Sequence, residues 1–119
     1  GKVLCLERLR YVEEQPVVAV TSYIPVDLAP GLESENFEKA SLYDLIENKY
    51  GLKISHARRV LESINVSEED KSLLEVEPDA AIHLIRTTAF LEGSVPFEYS
   101  VARYRGDKNS FTVTLKYRK

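Results

Sequence analysis

Hydrophobic and polar residues alternate most regularly between Val95 and Asp107, a stretch that begins at a turn and ends in a charged glycine turn. Alternation at period two predicts a β-strand with two distinct faces. One face carries Phe97, Tyr99, Val101 and Arg103, and the other carries Glu98, Ser100, Ala102 and Tyr104. The second face is small and polar in its middle, with a carboxylate and a phenol at its ends. This pattern favours a strand that lines a ligand pocket over a strand that faces a solid core.

Two parts of the chain share the order strand, polar turn, proline, strand. The predicted strands are Val3–Arg10 and Val17–Tyr23 in the first part, and Ala81–Thr88 and Phe97–Tyr104 in the second. An arginine, Arg8 or Arg86, lies late in the first strand of each part. Repeated hairpins in a small domain favour a pseudo-symmetric sheet, with a pocket between its halves as a natural consequence.

Two stretches have helical patterns. Ser41–Tyr50 combines a Ser-x-x-Asp start with apolar residues at three-four spacing, and Gly51 follows where a left-handed residue is expected. Ser67–Glu75 starts in the same way and predicts a short helix. The other predicted elements are a turn-rich connection with one helical turn over Val26–Leu32, an acidic loop over Glu33–Lys39, a strand over Leu52–Val66 and a final alternating strand over Phe111–Tyr117. We therefore predict an α+β fold, an antiparallel β-sheet with flanking helices.

Length and charge narrow the class of protein. The chain has 119 residues and a formal net charge of −3. A chain of this length forms one domain with a real core, and its slight acidity argues against direct binding of nucleic acid. It has no apolar run of about 18 residues and no signal-peptide pattern. Because the lone Cys5 cannot form an internal disulfide, we expect a cytoplasmic setting. Because strand residues begin at Val3, we also expect the chain to be part of a longer protein.

Arg8 and Arg10 lie two positions apart on a predicted strand, so their guanidinium groups point to the same face. Two aligned arginines suit a phosphate or a carboxylate, which accepts bidentate hydrogen bonds. Ser41 is first of all an N-cap, but a helix start also favours an anion, and Tyr43 follows in the first turn. Together these residues predict an anion site. The alternative is a solvated sheet face and a plain helix cap.

Glu98 and Tyr104 share the polar face of their strand, where the carboxylate can accept hydrogen bonds from hydroxyl or amino groups. The alternative is an ion pair that stabilises the sheet. We predict no catalytic residue, because no second carboxylate is placed to act with Glu98 as acid or base. We also predict no metal site and no cofactor, since His56 and His83 lack ligand-like spacing and no phosphate-binding glycine motif occurs.

Four motifs, in order along the chain, resemble the UTRA domain, the effector-binding module of the GntR/HutC group of bacterial transcription regulators. They are L-E-R-L-R, T-S-Y-I-P, S-L-Y-D-L-I-E-N-K-Y-G and P-F-E-Y-S-V-A-R-Y-R-G-D. The resemblance implies a chorismate-lyase-like ligand-binding domain over residues 1–119, no enzymatic activity, and a homodimer. It also implies a winged helix-turn-helix domain that binds DNA, and this domain and the first part of the UTRA domain are absent from the sequence.

The resemblance also assigns a ligand site. The matching positions are Arg8 and Arg10 for the anionic group of the ligand, Ser41 and Tyr43 for the rest of the phosphate site, and Glu98 and Tyr104 for the remainder of the ligand. Two positions depart from the usual pattern of the family. Val20 stands where many members have an acidic residue, which removes a polar contact and disfavours an aminosugar phosphate. Arg103 stands where many members have tyrosine, and alternation directs it away from the pocket.

Three functions remain open on this basis. The first is a sensor that binds a small anionic metabolite, such as a sugar phosphate or a carboxylate, and modulates DNA binding by the attached domain. The second is an enzyme on the chorismate-lyase-like fold that acts on a carboxylated small molecule, with Glu98 as general acid and base. The third is a dimerisation module without a ligand. The arginine pair and the polar strand face favour the sensor.

Overall fold

The computed structural model describes residues 2–37 and 41–117, and within these residues five strands form one antiparallel sheet. They are β1 (Val3–Val12), β2 (Gln15–Pro25), β3 (Ile54–Asn65), β4 (Ala81–Leu91) and β5 (Val95–Arg105). Their spatial order is β1-β2-β5-β4-β3, so the two predicted hairpins meet at the central β2–β5 pair. The predicted α+β class and both hairpins are confirmed.

Two helices, α1 (Leu42–Asn48) and α2 (Glu68–Leu74), begin at the predicted serine caps. Oγ of Ser41 accepts a hydrogen bond from the N–H of Asp44 at 3.2 Å, and Oγ of Ser67 accepts one from the N–H of Asp70 at 3.1 Å. Each cap satisfies an N–H that would otherwise lack a partner in the first turn. Gly51 follows α1 with φ of +64°, the predicted left-handed conformation.

The connection from β2 to α1 contains two short 3₁₀ turns, Val26–Leu28 and Leu32–Ser34. The first confirms the helical turn predicted in this connection. The second overlaps the start of the predicted acidic loop over Glu33–Lys39, whose residues 38 and 39 lie outside the described residues.

The helices pack on opposite faces of the sheet. On one face, which we call the α1 face, Leu42 and Ile46 pack with Ile24 of β2. On the other, the α2 face, Leu74 packs with Ala19 and Ile82. The α1 face of the central strands carries Val18, Val20 and Ser22 of β2, and Ser100, Ala102 and Tyr104 of β5. Successive residues along each strand therefore point alternately towards the α1 face and the α2 face.

The internal repeat extends to the two hairpins but not to their arginines. Arg8 pairs with Val20, whereas Arg86 pairs with Val101. Val20 pairs in turn with Ala102, the neighbour of Val101, so the two valines lie on opposite faces of the sheet. Arg8 therefore points to the α1 face and Arg86 to the α2 face, and the two arginines are not equivalent.

β5 departs from strict alternation at Phe97. Glu98 pairs with Ala89, but the next pair along the strands is Pro96 with Phe90, so Phe97 is the extra residue of a β-bulge. Phe97 is fully buried in the same apolar cluster as the inward side chains of α1. The prediction that Phe97 and Glu98 point to opposite faces is therefore wrong, since both point towards α1.

Arg103 connects β5 to α2. Its Nε and Nη2 donate to the two carboxylate oxygens of Asp70 at 3.0 and 3.2 Å, and its Nη1 donates to Oγ1 of Thr21 at 2.9 Å. The side chains of the ion pair are only 14% and 10% exposed. Arg103 therefore points away from the α1 face, as alternation predicts, and holds α2 on the sheet.

The predicted final strand over Phe111–Tyr117 is wrong, because none of the strands in the described residues includes this segment. A strand needs a neighbouring strand to which its backbone groups can bond, and alternation of side chains does not supply one. Phe111 contacts the ring of Tyr104, and the side chains of Val113, Leu115 and Tyr117 lie mostly in solvent. The strand predicted over Leu52–Val66, in contrast, is confirmed as β3.

Candidate functional site

A polar cluster lies on the α1 face, where β1, β2 and β5 meet the start of α1. The hydroxyl of Tyr43 donates to Oε1 of Glu98 at 2.5 Å. Nη2 of Arg8 lies 3.9 Å from Oε2 of the same carboxylate and donates to Oγ of Ser22 at 3.0 Å. We call Arg8, Ser22, Tyr43 and Glu98 the polar cluster. It brings a cation, a carboxylate and two hydroxyl groups to one place.

Strand register and helix capping explain why these side chains meet. The β1–β2 pairing places Arg8 on the strand next to Ser22 and on the same face. The β2–β5 pairing sets Ser22 opposite Ser100, and Glu98 follows two positions away, again on the same face. The capped first turn of α1 then directs Tyr43 at Glu98.

Burial sets the charge states of the polar cluster. Glu98 is only 4% exposed and lies beside the Arg8 cation. Burial lowers the pKa of Arg8, while the charge of Glu98 acts in the opposite direction. Arginine nevertheless stays charged near neutrality, because its ordinary pKa is very high. Burial, together with the hydrogen bond to Glu98, raises the pKa of Tyr43 above its usual 10.0, so Tyr43 is a neutral hydrogen-bond donor at neutral pH.

One donor of the polar cluster has no acceptor. Among the residues that the structure describes, Nε of Arg8 is buried without a hydrogen-bond partner, although Nη2 of the same side chain is bonded to Ser22. An unsatisfied buried N–H of a charged group is costly, and each such group in a native protein requires an explanation. An oxygen of an anionic ligand is the acceptor that suits this donor best.

A row of hydroxyl groups, of which alternation predicted only Ser100, extends from the polar cluster across the sheet. Ser22, Ser100 and Thr87 are register partners on β2, β5 and β4, so they share the α1 face. Arg59 of β3 pairs with Thr87 and continues the row. The row thus runs between two arginines, Arg8 and Arg59, on the outer strands. The available signal was the alternation of β2, which places Ser22 in an otherwise apolar row.

The structure brings together three of the six predicted ligand residues, namely Arg8, Tyr43 and Glu98. Arg10 lies two positions along β1, on the same face, and is exposed. Ser41 is adjacent to α1, and its Oγ serves as the helix cap. These five residues therefore lie at one end of the α1 face.

The sixth predicted residue, Tyr104, lies on the same face but not in the polar cluster. It comes six positions after Glu98 on β5, which corresponds to roughly 20 Å along a strand. Its ring meets the ring of Phe111 edge-on at 5.3 Å and packs against the core cluster that contains Val18 and Ile85. Alternation predicted its face correctly, but it could not show what covers that part of the face.

No group of three or more His, Cys, Asp or Glu side chains is arranged to hold a metal ion in the described part of the chain. None of the helices in residues 2–37 and 41–117 has the length and apolar character needed to cross a membrane.

Comparison with known proteins decides the family. The sequence profile described as the UTRA domain matches residues 1–110. The chain belongs to the UTRA domain family. The resemblance based on four motifs is thereby confirmed, and the relatives of this UTRA domain are GntR-family helix-turn-helix transcription regulators.

Two relatives and one solved structure illustrate the similarity. This UTRA domain is 32% identical over 106 residues to the HTH-type transcriptional repressor NagR of Bacillus subtilis strain 168, a match that covers 89% of this chain and 43% of NagR. It is 36% identical over 107 residues to the HTH-type transcriptional regulator GmuR of the same strain, which covers 90% and 44%. The effector domain of PhnF from Mycobacterium smegmatis has the same chorismate-lyase-like fold, with a TM-score of 0.91 at 24% identity over 97% of this chain and 70% of that chain. The chain thus spans less than half the length of the curated relatives.

Replacing Tyr43 by phenylalanine should destabilise the UTRA domain at pH 7, because buried Glu98 loses a hydrogen-bond donor. The pKa of Tyr43 is raised by folding, so its stabilising contribution is complete below the unfolded value near 10.0 and is lost as the pH rises through the folded pKa. The difference in unfolding free energy between the parent and Tyr43→Phe should therefore narrow above about pH 10. Urea unfolding at increasing pH measures it.

Tyr11→Phe is the control for this experiment, since it removes a hydroxyl from an exposed tyrosine of β1. A Tyr43→Phe difference that stays constant or widens above pH 10 would contradict the role assigned to the hydrogen bond between Tyr43 and Glu98.

Proposed function

We propose that this UTRA domain is the effector-sensing part of a bacterial, cytoplasmic transcription regulator of the GntR/HutC type. It binds a small anionic metabolite, a sugar phosphate or a carboxylate, through the polar cluster. It acts as a homodimer, and DNA is contacted by a winged helix-turn-helix domain elsewhere in the full-length regulator. The membership in the UTRA domain family supports the regulatory role.

The unsatisfied Nε of Arg8 is the observation that carries this proposal. A bound phosphate or carboxylate oxygen would accept from this group, and the exposed guanidinium of Arg10 on the same face would add a second cation. Two arginines on one face favour a ligand with negative charge, because a guanidinium forms its strongest hydrogen bonds with an anionic acceptor.

The remaining groups of the site suit hydroxyl groups of a ligand. The carboxylate of Glu98 accepts hydrogen bonds from hydroxyl or amino groups, and Ser22, Ser100 and Thr87 can both donate and accept. A ligand with an anionic group at one end and hydroxyl groups along its length would contact both the arginines and the row of hydroxyl groups on the α1 face. Phosphorylated sugars and hydroxylated organic acids have this form.

Thermal unfolding of the chain with millimolar metabolites tests the proposal. A ligand present at about 100 times its dissociation constant should stabilise the domain by about 2.7 kcal/mol, which is several degrees. We expect a shift with phosphorylated sugars or organic acids and none with the same sugars lacking phosphate. The absence of any shift, or equal shifts with charged and neutral sugars, would contradict the proposal. Conversion of the ligand during incubation would indicate the enzyme alternative instead.

A further inference from the structure

Arg59 of β3 faces the candidate site from the far side of the sheet. It pairs with Thr87 of β4, which pairs with Ser100 of β5. Residues directly opposite each other on paired strands point to the same face, so Arg59 lies on the α1 face at the end of the hydroxyl row. Its charge acts on Tyr43, where it opposes the rise in pKa that burial causes. The guanidinium of Arg59 is therefore directed at the polar cluster.

Arg59 lacks the partner that other arginines of the sheet have. Arg8, Arg86, Arg103 and Arg105 each form an ion pair with a carboxylate. In the part of the chain that the structure describes, Arg59 is exposed and forms no ion pair or side-chain hydrogen bond. A guanidinium presents five N–H donors, and its strongest hydrogen bonds are those with anionic acceptors. The donors of Arg59 are therefore available to an anion from solution.

The α1 face of the sheet has an excess of positive charge. Within the five described strands, the arginines on this face are Arg8, Arg10 and Arg59, and its carboxylate is Glu98. The whole chain, in contrast, has a formal net charge of −3. Arg8 and Glu98 lie 3.9 Å apart and offset each other. Two cations, Arg10 at one edge of the sheet and Arg59 at the other, therefore remain for a ligand.

A single anionic group cannot serve both edges of this face. Arg8 is on β1 and Arg59 is on β3, so their strands are four inter-strand steps of about 4.8 Å apart. Glu98 lies between them on β5, with the hydroxyl of Tyr43 bonded to it. An anion placed beside Glu98 would be repelled by its charge, whereas hydroxyl groups can donate to it. From one edge to the other, the face thus offers a cation, groups that bind hydroxyls, and a second cation.

We propose that the ligand of this UTRA domain carries an anionic group at each end, and that Arg59 binds the second of these groups. The first anionic group binds to Arg8 and Arg10, and the hydroxyl groups of the ligand lie along Glu98 and the hydroxyl row. The second anionic group accepts hydrogen bonds from the guanidinium of Arg59. Phosphorylated sugar acids and dicarboxylic sugar acids have this form. The inference rests on the proposed function and narrows its class of ligand.

Two pairs of six-carbon probes test the inference by isothermal titration calorimetry. Gluconate and glucose 6-phosphate have one anionic group, whereas their counterparts glucarate and 6-phosphogluconate have one at each end. In the parent, the two-ended member of the pair that binds should bind about 10-fold more tightly than the one-ended member, because it gains hydrogen bonds between charged groups. Arg59→Ala should reduce this ratio to about one. Arg59→Lys should retain part of it, since the charge remains.

Arg58→Ala is the matched control. Arg58 is the preceding residue of β3 and is also exposed, but it pairs with Thr88 and lies on the α2 face. This variant should keep the parent's ratio, and both alanine variants should keep the parent's unfolding temperature without ligand.

The outcomes separate this inference from the proposed function. Equal affinities of the one-ended and two-ended probes for the parent, or equal ratios in Arg59→Ala and Arg58→Ala, would overturn the inference and leave the sensor standing. Binding of none of the four probes would also overturn the inference. The proposed function would fall with it only if the wider panel of anionic metabolites gives no thermal shift either.

Discussion

A UTRA domain in which Arg8 and Arg10 are both replaced by alanine should no longer be stabilised by the anionic metabolites that stabilise the parent. Arg8 supplies the unsatisfied buried donor, and Arg10 adds the second charge on the same face. Each hydrogen bond between charged groups contributes about 1.5–3 kcal/mol. Loss of two should therefore raise the dissociation constant by at least about 100-fold. Thermal unfolding with the ligand that shifts the parent measures the loss.

The matched control removes two arginines, and so the same amount of positive charge, from the other face of the sheet. Arg86 lies on the α2 face because it pairs with Val101 of β5. Arg58 lies on the same face, because its partner Thr88 is two positions from Arg86 on β4. Arg58→Ala combined with Arg86→Ala should leave the ligand-induced shift unchanged. If both double variants reduce the shift equally, the ligand responds to overall charge and not to the polar cluster. Unaltered affinity in the Arg8 and Arg10 variant would refute the proposed site.

Asp70→Ala should reduce the free energy of unfolding by about 3 kcal/mol, because it leaves the mostly buried Arg103 guanidinium without its carboxylate. Thr21 and the carbonyl oxygen of Val101 remain as acceptors, but neither carries a charge. Urea unfolding measures the change, and the loss should be accompanied by faster amide exchange in α2, which the ion pair holds on the sheet.

Glu92→Ala is the control for the Asp70 variant, because it removes one carboxylate from an ion pair with Lys53 in which both side chains are exposed, at 69% and 78%. Its removal should cost less than about 1 kcal/mol. Equal losses in the two variants would show that burial does not determine the strength of these ion pairs.

The strands and helices of this UTRA domain could be predicted because their signals are local. Alternation marks β5, and the serine caps mark the first turns of α1 and α2, since a cap depends only on residues three positions apart. The face on which Arg8, Arg10 and Arg103 lie follows from alternation alone. Tyr43 and Glu98 were predicted for one site, but their hydrogen bond joins residues that are distant in sequence.

The errors of the sequence-based predictions have one cause. Alternation within one strand does not show which strand pairs with it or in which register. The bulge at Phe97 arises from the β4–β5 register. Ser22 is part of the polar cluster because Arg8 is on the neighbouring strand, and nothing near Ser22 in the sequence indicates that. Residues 111–117 have the right side chains for a strand but no strand beside them in the single chain.

The bulge on β5 also limits how this protein can change in length. Phe97 fills the core beneath α1, and Glu98, the next residue, belongs to the polar cluster. Inserting or deleting one residue between Pro96 and Tyr99 would turn one of these two side chains to the opposite face. Either the core contact of Phe97 or the hydrogen bond between Glu98 and Tyr43 would then be lost, whatever residue is used. The turn at Glu92–Ser94 can accept inserted residues without this penalty, whereas the bulge can accept only substitutions that keep its length.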